Sequence, residues 1–74
     1  MSHDRITRDP TVLFGKPCIT GTRISVEVIV RRLSAGLSAD QVAAEYPELT
    51  REDVLAATAY AADLVRHDGL ADAK

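Results

Sequence analysis

From Ser25 onward the apolar residues recur at helical spacing, whereas over the first 24 residues they do not. Val26, Ile29, Val30 and Leu33 fall at i, i+3, i+4 and i+7, one apolar stripe on a helix that Ser25 can cap and Gly36 can end. The segment Ile24-Ser25-Val26-Glu27-Val28 also alternates as a strand would, and its β-branched residues are mediocre helix formers, so both readings stay open there. Ser38 and Gln41 form a capping-box pair, and Val42, Ala43 and Tyr46 follow at helical spacing until Pro47 stops a short second helix. Thr50 and Asp53 repeat that pairing, which starts a third helix at Arg51 with Glu52 and Asp53 at the positive end of its dipole. This helix is expected to run to about His67, burying Val54, Ala57, Ala61, Leu64 and Val65, with Gly69 as its C-terminal cap. Ala56, Ala57, Ala59, Ala61 and Ala62 raise its helix propensity and permit a partner helix to approach closely.

Pro10, Gly15, Pro17 and Gly21 rule out a long helix before Ser25, so short strands and turns are expected. Cys18-Ile19 and Thr22-Arg23-Ile24 flank Thr20-Gly21, which suits a tight hairpin because Gly21 can take a positive φ. The chain therefore reads as one mainly α domain, a short N-terminal β-hairpin followed by three helices. Residues 1–24 carry the strands and hairpin, 25–70 a three-helix helix-turn-helix region, and 71–74 a short tail.

Length changes the picture first. A core built from 74 residues supplies only about 3 to 5 kcal/mol unless something staples it. Cys18 is the single cysteine and His3 and His67 stand at opposite ends, which removes disulfides and zinc and leaves a second subunit. A homodimer is therefore expected. No run approaches the roughly 18 apolar residues of a spanning helix, and the N-terminus lacks a secretory layout, so no membrane is implied and a cytoplasmic protein is expected.

Charge changes it again. The net charge of −2 is not that of a generic nucleic-acid binder. Residues 1–36 hold six basic against three acidic residues, a net of +3, while residues 37–74 hold three basic against eight acidic, a net of −5. The first half suits phosphates and the second repels them.

Candidate chemistry is sparse. The second and third helices make a helix-turn-helix outline, which an ordinary three-helix corner gives equally well. The turn that would enter a major groove is Arg51-Glu52-Asp53, and carboxylates there oppose DNA. Cys18 has no histidine with an orienting Asn or Asp evident in the sequence and reads as a buried structural thiol. Asp63, Asp68 and Asp72 lack companion ligands and read as facing solvent. Tyr60 borders the apolar stripe of the third helix, where packing in the core and a place in a binding surface are both open. No nucleophile–base pair, metal quartet or phosphate-cradling loop is present, so neither enzyme activity nor a cofactor is expected.

The run Ile6-Thr7-Arg8-Asp9-Pro10, then Gly15-Lys16-Pro17-Cys18-Ile19-Thr20-Gly21-Thr22-Arg23-Ile24, resembles the signature of domain-of-unknown-function family 433. The likeness continues through Leu33 to Ser38, Tyr46 to Thr50, Asp53-Val54 and Ala59-Tyr60-Ala61, nearly the full chain. The resemblance implies a helix-turn-helix or homeodomain-like fold and a VapB-type antitoxin, encoded beside a PIN-like ribonuclease toxin and repressing its own promoter. Many antitoxins neutralise with a disordered tail, and this chain has hardly any, so the folded domain would have to do it. Tyr60, Asp63, Leu64, Arg66 and Asp68 on the third helix are the candidate toxin contacts, because an RNA-binding groove must be basic and attracts an acidic surface. Lys16, Arg23, Arg31, Arg32 and Arg51 are the candidate operator-DNA contacts. The other class of function is a stand-alone dimeric helix-turn-helix regulator gripping DNA through its basic half.

Overall fold

The computed structural model describes residues 3–67. Two two-residue strands, β1 (Ile6–Thr7) and β2 (Cys18–Ile19), precede three helices, α1 (Val26–Ser34), α2 (Ala39–Glu45) and α3 (Arg51–His67). The strands pair antiparallel, Ile6 opposite Ile19 and Thr7 opposite Cys18. Among the described residues no helix is long and apolar enough to cross a membrane.

The helix starts are set by local side chains. Ser25 Oγ accepts the Val28 amide at 3.1 Å, which decides the open choice at Ile24–Val28 for helix. Ser38 and Gln41 close a full capping box, Gln41 N–H to Ser38 Oγ at 3.1 Å and Ser38 N–H to Gln41 Oε1 at 2.7 Å. Thr50 and Asp53 make the same reciprocal pair at α3, at 3.2 and 3.0 Å. Gly36, at φ +103, follows the end of α1 in a conformation that side chains resist. Gly69 lies outside the described residues.

The three helices meet over Ile29, Val42 and Val54, none of which retains any exposure, joined by Ile19, Val26, Leu49 and Ala57. Cys18 is buried at the edge of this core, its thiol donating to the Lys16 carbonyl at 3.3 Å. Tyr60 and Ala61 pack against the core only in part.

Three expectations need correction. The turn at Thr20-Gly21 forms, with Gly21 at φ +84 and the Ile19 amide bonded to the Ile24 carbonyl at 3.0 Å. Its far side, however, gives β2 only an isolated bridge between Cys18 and Ser25, because Ser25 must turn at once into α1 as its cap. The true strand partner is Ile6–Thr7, reached through the loop between. Leu64 and Val65 are not buried but 40% and 44% exposed, since α3 extends past the elements that cover its first half. Asp63 does not face open solvent: its side chain is 21% exposed and bound to His3.

Candidate functional site

Residues 3–16 do two things that the helical region could not do alone. One is to clamp α3. His3 Nε2 lies 2.8 Å from Asp63 Oδ2, Arg5 donates to Asp53 Oδ1 at 2.9 Å, and Arg8 Nε donates to the Tyr60 hydroxyl at 2.8 Å. Asp53, Tyr60 and Asp63 stand at i, i+7 and i+10, one side of the helix. His3 also meets the Tyr60 ring edge-on at 5.2 Å, and the Arg8 guanidinium sits 5.9 Å from the same ring centre.

Asp53 is the most constrained of these groups. Burial pushes its carboxyl up, but the Thr50 amide, the Arg5 guanidinium and the Thr50 hydroxyl outweigh that and hold it below the usual carboxylate range. It therefore points into the fold, so the first turn of α3 presents only Arg51 and Glu52 outward, not two carboxylates as the sequence suggested.

The other contribution is a strained loop. Asp9 Oδ1 accepts from the amide and the hydroxyl of Thr11 at 2.9 and 2.7 Å, which holds its carboxyl below the usual range and starts a turn. Leu13, Phe14 and Gly15 then take φ of 50°, 58° and 83° in succession. For Leu13 and Phe14 this left-handed conformation costs about 1 to 2 kcal/mol per residue. Phe14 is left 99% exposed.

The cations assigned to DNA are scattered and mostly paired. Lys16 and Arg31 converge on Glu27, at 3.3 and 3.1 Å, and pull its carboxyl down, the hydrogen bond from Arg31 being the largest single cause. Arg32 sits 3.5 Å from Glu45, and Arg51 3.4 Å from Asp40 in the first turn of α2. Arg23, exposed on the turn, has no ion pair among the described residues. Lys16 and Arg31 are brought together at Glu27, Arg32 stands beside Glu45 of α2, Arg51 is on α3 and Arg23 precedes α1.

The residues expected to meet a toxin are divided too. Tyr60 and Asp63 are engaged by Arg8 and His3. Leu64 is exposed at the far end of α3, and Arg66 stands about 200° round the helix from it. Asp68 lies outside the described residues. Sequence reasoning missed Leu55, 45% exposed, which with the exposed Ala59 and Ala62 forms an outward stripe at i, i+4 and i+7. It also missed His3, Arg5 and Arg8, whose partners are 48 to 60 positions away. The same-side spacing of Asp53, Tyr60 and Asp63 was a usable signal that something polar covers that side.

No curated protein matches the chain significantly. Among solved structures, a protein from Anabaena variabilis, described as a DUF433 member, is 31% identical with a TM-score of 0.77 over 95% of this chain and 69% of that one. The family model described as "Protein of unknown function (DUF433)" matches residues 6–61, a span that takes in the Arg8–Tyr60 pair of the clamp, the strained loop and most of α3, and so the chain belongs to the DUF433 family.

Proposed function

We propose that this protein is a cytoplasmic antitoxin, a non-catalytic partner that binds and neutralises a PIN-like ribonuclease through the outer and distal surface of α3. The observation that carries this reading is the exposure of large apolar side chains on one helix: Leu64 and Val65 are 40% and 44% exposed at its distal end, and Leu55, half a turn round from Leu64, is 45% exposed on its outer side. They lie in the acidic half of the chain, with Glu52 one turn before Leu55. Apolar anchors set in a field of negative charge suit a protein whose own groove is basic. Tyr60 and Asp63 then serve to fix the helix through the clamp, and Leu64 and Val65 make the contact.

A stand-alone DNA-binding regulator is less well supported. Four of its five cations each face a carboxylate that a phosphate would have to displace, and of the five Arg23 is the one without an ion pair among the described residues. Autoregulation would rest on Arg23 in the complex.

Co-expression with the toxin encoded beside it tests the reading. The two proteins should co-purify and growth should recover, while Leu64→Lys together with Val65→Lys should abolish both with the helical circular dichroism unchanged. A wild-type chain that neither retains the toxin nor relieves the growth arrest ends the proposal.

A further inference from the structure

The strained loop places Phe14 beside a groove of about 370 Å³ lined by Leu13, Phe14, Lys16, Glu27, Val28 and Arg31. Val28, on the outward side of α1, is itself 37% exposed. A second hollow, lined by Arg32, Ala35 and Tyr46, adjoins it through Val28 and Arg31. Water gains nothing from a phenyl ring, and a loop that adopts left-handed backbone at Leu13 and Phe14 to hold that ring outward demands a compensating contact.

We propose that the occupant is a second copy of this chain, in a two-fold dimer where Phe14 of each copy seats in the groove over Val28 of the other. A two-fold contact uses the same patch twice, so it needs a projection and a recess side by side. Phe14 is the projection and the Leu13–Val28 groove is the recess. The rim is complementary to itself as well. Glu27 lies between Lys16 and Arg31, at 3.3 and 3.1 Å, so the patch carries both signs and can exchange ion pairs across the axis. The groove volume falls in the range of about 300–1,000 Å³ that holds compact organic ligands, ample for a phenyl ring. The surface is formed by the strained loop and α1, whereas the toxin reading uses the far end of α3, so the two stand or fall separately.

Sedimentation of the isolated chain over a dilution series tests this without any toxin. The wild type should associate reversibly as a dimer. Phe14→Gly, which removes the ring and suits φ +58, should raise the dissociation constant about 30-fold or more while keeping the fold. Val28→Asp, altering the recess and not the projection, should have a similar effect. In a dimer mixed from isotope-labelled and unlabelled chains, nuclear Overhauser contacts should join the Phe14 ring to the Val28 methyls between copies. A wild type that stays monomeric at millimolar concentration, or a dimer that survives both substitutions or lacks those contacts, overturns the proposal.

Discussion

The two halves of α3 are built from similar residues and end in opposite states. In the first half Val54 and Ala57 have no exposure and Asp53 has 8%; in the second, Leu64 and Val65 are 40% and 44% exposed. The difference is one of reach. At 1.5 Å per residue the 17 residues of α3 span about 25 Å, while α1 with nine and α2 with seven span only about 13 and 10 Å. A helix can bury an apolar stripe only as far as its neighbours extend. Beyond them the stripe is surface, available to a partner.

The sharpest test of that contrast is a pair of equal truncations. Val54→Ala should cost about 2 to 3 kcal/mol, lost transfer energy plus a cavity, and so remove much of the stability of so small a domain. Val65→Ala should change stability by no more than about 0.5 kcal/mol. Urea unfolding followed by circular dichroism separates them, and equal losses would mean that the distal half is packed after all.

Asp53 comes next. Asp53→Asn should cost about 1 to 2 kcal/mol, because the cap and the Arg5 bond weaken together. Its carboxyl titrates lower in the folded state than in the unfolded one, so the stabilisation is full above about pH 4 and lost as pH falls through the folded value. The gap between wild type and Asp53→Asn in thermal unfolding should therefore narrow below about pH 4. A gap that is constant from pH 7 to pH 3 contradicts the assignment.

The smallest effect belongs to the clamp at the boundary between the halves. His3→Ala breaks a partly exposed pair with Asp63 and should cost about 0.5 kcal/mol. Its signature is local, with faster amide exchange in the last turns of α3 and none near Val54. Uniform acceleration along the helix would assign His3 a global role instead.

Much of the fold was legible in the chain because its determinants are near neighbours. Ser25, Ser38 with Gln41, and Thr50 with Asp53 each act within three residues and fix the three helix starts. The candidate site was less legible. Tyr60 and Asp63 look alike as surface candidates until Arg8 and His3, 52 and 60 positions away, are found against them. Nothing in the residues around Phe14 announces that it takes φ +58 and stands free of the core.

The sequence by itself determined the order of elements, the helix starts and the separation of charge between the two halves, since caps, turn glycines and formal charges act locally. Only the tertiary structure decided that Ile6–Thr7 pairs with β2, that His3, Arg5 and Arg8 lock one side of α3, and that Leu64 and Val65 remain uncovered. Those outcomes depend on the relative lengths of packed helices and on contacts between residues distant in the chain, quantities that no local window of sequence contains.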